Sequence, residues 1–231
     1  MNNIFRTFLL LLYLILLSCG AEQKTVNKIK EINQEQEMIT SYKEGLEGIT
    51  KRDYYVASKK FLEAELLYPQ SRWAAKSALM ASYSFYLQDF YAEALNNLER
   101  YVITYPKDEN MAYARFLIAI CYYETVVDEK RDTDAIIKAK EEFEFILKNY
   151  PTTDFAIDSN YKLDFLLDIL AAKEMYIGRH YIKKSKWIAA INRFKFVLKN
   201  YENTVYTEEA IHRLVEIYYK IGLLDESQKY A

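Results

Sequence analysis

Turn-forming and metal-binding residues are what this chain has least of. Five Gly and three Pro in 231 residues leave too few reversals for a protein of many short strands. No group of glycines exists to cradle a phosphate. His180 and His212 stand far apart, and Cys19 and Cys121 are the only cysteines. Neither the HisGluXxxXxxHis spacing nor a cysteine cluster is present, so no zinc site is expected. Neither sign of charge dominates: 31 Lys+Arg face 33 Asp+Glu, a net charge of −2. That balance does not point to nucleic acid as a partner, which asks for a clustered basic surface. Carboxylates such as Glu141 and Glu144 sit near Lys138, Lys140 and Lys148 at helical spacing, as solvated helix faces do. No catalytic motif is found, and the expectation is a protein that is not an enzyme and has no cofactor.

What the chain does have is a repeated pattern in a composition able to form a core, 51% hydrophobic and 28% charged. Ala57, Phe61 and Ala64 fall at i, i+4 and i+7, and the run ends at Tyr68-Pro69. That places three small or apolar residues on one helix face and a stop after it. The pattern returns as Ala94, Leu98, Tyr101 and Pro106, and as Ala139, Phe143, Ile146 and Pro151. A fourth copy reads Ala190, Phe194, Val197, with Glu202 in the proline slot. One helix with one narrow stripe cannot bury itself, so four copies predict a stack of like units.

This pattern resembles the tetratricopeptide (TPR) repeat, a helix-turn-helix unit of about 34 residues. Gly45 and Gly178 each precede the stripe alanine by twelve residues, where a TPR keeps a small residue so that its helices can approach. Ser82 fills that slot in the second copy, and the aromatic slots are Phe85 and Tyr181. The fold expected is all-α: a TPR-type α-solenoid of about five repeats, near 37–69, 70–106, 107–151, 153–202 and 203–231. Asp53, Ser71 and Asp108 suit helix N-caps. The charged run 126–133 reads as an insertion between two helices, because the spacing from Pro106 to Pro151 exceeds that from Pro69 to Pro106. Residues 153–184 hold one glycine and no proline, and predict one very long helix or two nearly collinear ones.

The amino terminus lies outside this pattern. Arg6 precedes an apolar run, Phe8 to Leu17, too short to span a bilayer as a mature helix. Leu16-Leu17-Ser18-Cys19 resembles a bacterial lipobox. The resemblance implies a signal peptide at 1–18 and Cys19 as the lipidated first residue; the competing reading is an ordinary secretory signal. Gly20, rather than Asp, then implies sorting to the outer membrane. Residues 19–36 are polar and read as a tether. With Cys19 consumed by lipid, Cys121 has no disulfide partner and reads as a core residue. Removal of 1–18 leaves 30 Lys+Arg against 33 Asp+Glu.

Lipobox, tether and degenerate repeats together resemble the BamD (YfiO) family of outer-membrane assembly lipoproteins. The carrying residues are the ends Tyr68-Pro69, Tyr105-Pro106 and Tyr150-Pro151, the start Thr153-Asp154, the long segment to Lys184, and YIKKSKWIAAINRF at 181–194. The resemblance implies a scaffold of the β-barrel assembly (BAM) machinery at the periplasmic face of the outer membrane. It implies docking to the POTRA domains of the barrel-forming subunit, with Arg193 as contact and Trp187 and Asn192 beside it. An intramolecular salt bridge is the competing reading of Arg193. The resemblance further implies recognition of unfolded outer-membrane proteins by an aromatic groove, for which Tyr42, Tyr83, Tyr86, Tyr113 and Tyr122 are candidates. Packing between helices is the competing reading of each tyrosine. Another periplasmic TPR lipoprotein, serving envelope division or peptidoglycan synthesis, is the alternative function, and an α-helical hydrolase a remote third.

Overall fold

Ala57, Phe61, Ala64, Ala94, Leu98, Tyr101, Ala139, Phe143, Ile146, Ala190, Phe194 and Val197 are each 0% exposed in the computed structural model of the chain. All four copies of the stripe are therefore core, as their helical spacing predicts. The structure describes residues 22–125 and 133–231, with side chains from 33 to 125 and from 134 onward. The signal peptide at 1–18, Cys19 and most of the charged insertion lie outside the described residues.

Among the described residues there are ten helices and no strand. They are α1 (Glu22–Lys51), α2 (Tyr54–Leu67), α3 (Arg72–Tyr86), α4 (Tyr91–Thr104), α5 (Met111–Glu124), α6 (Thr133–Asn149), α7 (Asp154–Lys183), α8 (Trp187–Asn200), α9 (Thr207–Lys220) and α10 (Leu224–Tyr230). The chain divides into two units, one running to Asn97 and one from Leu98 to Ala231. In the first, α1 packs on α2 and α2 on α3. In the second, each helix from α5 to α10 packs on the next, the consecutive hairpin pairing of TPR repeats.

The hairpins are built from one turn used four times. Arg52, Asp89, Ser185 and Gly222 have φ of 59°, 58°, 54° and 82°. The residue after each bonds back to the closing helix: Asp53 N to Gly48 O, Phe90 N to Phe85 O, Lys186 N to Tyr181 O and Leu223 N to Tyr218 O, at 2.8–3.0 Å. A left-handed residue followed by this long backward bond satisfies the last carbonyls of a helix. The links between repeats are also alike. Ser71, Asp108, Thr153 and Thr204 donate their amides to Tyr68, Tyr105, Tyr150 and Tyr201 at 3.0–3.2 Å. The fourth link thus closes without the proline.

Three local expectations change. The stretch read as a tether is helical from Glu22, although Met38 is the first buried side chain among those described. No Pro or Gly interrupts 22–44, and straight-chain Glu, Gln and Lys lose little freedom in a helix. Ser71 stands at the α3 N-cap but makes no side-chain cap bond. Asn110, not Asp108, occupies the α5 N-cap. Residues 154–183 form one unbroken helix of 30 residues, started by Thr153, whose hydroxyl accepts from the Ala156 amide.

Candidate docking surface

Arg193 lies on α8, one residue before the buried Phe194, so the 100° step per residue swings it out of the core stripe toward α7. There its Nη1 donates to Glu174 Oε2 at 2.9 Å. Glu174 is the more buried partner, its side chain 15% exposed against 41% for Arg193. The Glu174 bond, with help from Tyr181, strengthens the protonated guanidinium against its partial burial. The intramolecular pair is real, and the guanidinium still reaches the surface with donors to spare. The geometry thus accommodates both readings of Arg193.

Trp187 and Asn192 do not converge on it. Trp187 opens α8 and packs against the α7–α9 core, with Lys220 Nζ 4.7 Å from its ring centroid. Asn192 projects on the exposed face, away from Ile191 and Phe194. Residues five and six apart on a helix point in different directions, so the three form a band around α8 and not a single patch.

The tyrosines separate into core and surface. Tyr42 is a correction: it is 6% exposed, edge-on to Phe61 at 5.3 Å and Trp73 at 5.2 Å. It belongs to the first unit's core and does not line a groove, because its face of α1 meets α2. Tyr83 and Tyr86 are half-buried and stacked at 6.3 Å, and Tyr91 joins Tyr86 at 6.0 Å. Tyr113 meets Phe155 at 5.5 Å. Tyr122 donates to Glu99 at 3.1 Å, and Lys138 sits over its ring at 5.1 Å. Burial, then the Glu99 bond, pushes the Tyr122 hydroxyl up to about 12. It lines a cavity of about 410 Å³ with Ile103, Arg115 and Glu142. Arg115 and Glu142 pair at 2.8 Å in that wall. Burial raises the Glu142 carboxyl despite the guanidinium.

Sequence reasoning missed a larger cavity, about 510 Å³, along α7 between Phe165 and Arg179. Phe165 and Tyr176 line it at 54% and 57% exposure, Val205 closes one side, and Arg179 is fixed to both Glu209 oxygens at 3.0 Å. A second helical series, Ile157, Tyr161, Phe165, Ile169, Ala172 and Tyr176, was the available signal. It was masked by the first series, Leu163, Leu166 and Leu170, which is the buried one.

For chemistry rather than recognition the ground is thin. Cys121 is buried and unpaired, its thiol pushed to about 12 first by burial, the opposite of a nucleophile. No group of three His, Cys, Asp or Glu able to hold a metal occurs among the described residues.

Residues 34–231 match the family described as YfiO, outer membrane lipoprotein. The chain is 37% identical over 198 residues to the outer membrane protein assembly factor BamD of Caulobacter vibrioides, covering 86% of this chain and 65% of that one. It is 36% identical over 223 residues to the factor of the same name from Rickettsia prowazekii, covering 96% and 86%. To that of Neisseria meningitidis serogroup A it is 30% identical over 216 residues, covering 89% and 81%. The chain thus spans less than two thirds of the Caulobacter protein. Stacked TPR-type hairpins, four copies of one buried stripe and a match running to the last residue converge: the chain belongs to the YfiO family of outer membrane lipoproteins.

Proposed function

We propose that this protein is a non-catalytic adaptor in outer-membrane β-barrel assembly. Lipid on Cys19 anchors it to the periplasmic face of the outer membrane. Its second unit docks the POTRA region of the barrel-forming subunit, and its half-buried tyrosines engage unfolded outer-membrane proteins. The relatives named assembly factors support the general role. The observation that carries the docking assignment is Arg193, held by Glu174 from below with its outer edge in solvent. A fixed guanidinium is suited to pair a partner carboxylate in two-point geometry. Trp187 stiffens the start of α8, and Asn192 supplies an amide at the rim. Tyr83, Tyr86, Tyr113 and Tyr122 remain the aromatic candidates for substrate, and Tyr42 is removed from them.

The test is binding of the purified lipoprotein to the POTRA-bearing subunit by biolayer interferometry. Arg193→Glu and Arg193→Gln should each weaken binding at least tenfold, with helical circular dichroism unchanged. Undiminished affinity in both variants rejects Arg193 as the contact. Co-purification with division or peptidoglycan proteins in place of a barrel assembly subunit would favour the other adaptor reading.

A further inference from the structure

Two hairpin turns of the second unit make one edge of unusual composition. The α7–α8 turn carries Lys183, Lys184, Ser185 and Lys186, all exposed, followed by Ile188 at 66% exposure. The α9–α10 turn carries Tyr219 at 71%, Lys220, Gly222, Leu223 at 47% and Leu224 at 54%. The two turns are neighbours: Lys220 lies over the Trp187 ring, and Ile182, Trp187 and Ile221 pack on one cluster. Both have the same left-handed geometry, at Ser185 and Gly222.

The charge on this edge is not internally compensated. Among the described residues, Lys183, Lys184 and Lys186 have no carboxylate partner. The acidic groups on the adjoining α10 are Asp225 and Glu226, and Glu226 is paired with Lys229. A local excess of lysine therefore stands on a chain whose net charge is −2. Aliphatic tips beside it are exposed, and no helix among the described residues is long and apolar enough to cross a membrane.

We infer that this edge docks onto a phospholipid surface carrying anionic headgroups. Lysines meet the phosphates while Leu223, Leu224 and Ile188 enter the boundary of the acyl region, the combination that holds amphipathic segments at an interface. An acidic protein face would satisfy the lysines equally well, but it gives no reason for bare leucines at the tip of a turn. The inference rests on the anchoring reading in one respect: lipid on Cys19 keeps the edge near a bilayer, so that weak docking suffices.

The experiment uses the full acylated protein reconstituted into vesicles, with an environment-sensitive fluorophore on Leu224→Cys. A control carries it on Leu66→Cys, exposed in the first unit. Cys121 is buried and does not compete for label. In phosphatidylglycerol–phosphatidylcholine vesicles the Leu224 label should shift to the blue and be quenched by brominated acyl chains, and the Leu66 label should not. High salt, pure phosphatidylcholine, or the triple change Lys183→Glu, Lys184→Glu, Lys186→Glu should abolish the shift. The docked-to-free ratio should fall about a hundredfold for the three lysines. A label that stays in water with anionic vesicles overturns the inference, and so does equal quenching in both lipids. So does burial of the label only when the POTRA-bearing subunit is added, which would identify an acidic protein face. Mass spectrometry of the amino-terminal peptide reads the anchor separately. If Cys19 carries no lipid, the anchoring reading fails, and protein carrying Cys19→Ser with the label on Leu224→Cys, added to preformed vesicles, still decides the edge.

Discussion

A glycine in this fold is a spacer before it is a hinge. A Cβ on Gly178 would lie 2.6 Å from Phe194 Cε1 and 2.7 Å from Cζ, and one on Gly45 would lie 2.7 Å from Phe61 Cε1. Both rings are fully buried and cannot swing away. Gly178→Ala gains up to about 1 kcal/mol of helix propensity and loses about 1–3 kcal/mol to overpacking, so urea midpoints should fall. Phe194→Leu in that background should recover part of the loss, which a double-mutant cycle reads as coupling; strict additivity would refute the spacer role. The other residue whose environment decides stability is Tyr101. It is fully buried and donates to Asp108 at 2.6 Å, while the Asn110 amide and side chain donate to the same oxygen at 2.8 and 3.0 Å. Burial pushes the Asp108 carboxyl up, the three donors outweigh it, and the folded value lies below the ordinary one. A depressed acid stabilises the fold above its unfolded pKa, near 4, and that contribution disappears as pH falls through the folded pKa. Tyr101→Phe should therefore cost about 1–2 kcal/mol at neutral pH. The difference from wild type should narrow once Asp108 is protonated, as chemical denaturation at pH 7 and near pH 2–3 would measure.

Helices and turns divide into what the sequence makes legible and what it does not. The stripes at Ala57, Ala94, Ala139 and Ala190 name the core directly, because a period of three and four has only one interpretation when it recurs in register. The length of α7 is legible for the same reason, with no breaker between Asp154 and Gly178. The turns between paired helices are not, because three of four place Arg52, Asp89 or Ser185 in a conformation that announces itself only when glycine occupies it. The fate of Tyr42 is equally hidden: exposed and buried tyrosines look alike until α2 and Trp73 close over one of them. Nor does any local pattern join Arg193 to Glu174, which lie on different helices. The fourth inter-repeat link offers a test of how far the turn tolerates its own variation. Tyr201 to Thr204 closes like the three proline-bearing links, and Glu202 stands where a β-turn favours proline. Its amide makes no hydrogen bond among those described. Glu202→Pro should raise stability by about 0.4–1 kcal/mol through the unfolded chain alone. A lower melting temperature would mean that this link differs from the others in a way its hydrogen bonds do not reveal.

At the largest scale, the consecutive helix pairing within the second unit has consequences that a globule's does not. Stability in such a stack is close to a sum of unit and nearest-neighbour terms. In the second unit, α9 packs on α8 before it and α10 after it, so the run α8–α9–α10 depends on few surfaces. Leu214 and Ile217 of α9, at 0% and 2% exposure, lie in the cluster that also holds Ala190 and Phe194 of α8 and has Tyr230 of α10 packed against it. The edge argued to meet lipid is carried on this same end, as is Arg193, whose partner Glu174 belongs to α7. Elements that open locally are drawn from the low-stability end of a structure, and α10, with α9 as its main neighbour, stands at that end of the second unit. Leu214→Ala should cost about 2–5 kcal/mol by deleting a buried branched side chain. Hydrogen exchange should show that loss as faster exchange in α9 and α10 first and in α8 next, while α5 and α6 keep their wild-type protection. Uniform acceleration across the second unit would mean that its helices melt as one block, and the local opening that would make this end compliant toward a membrane or a partner would then be absent.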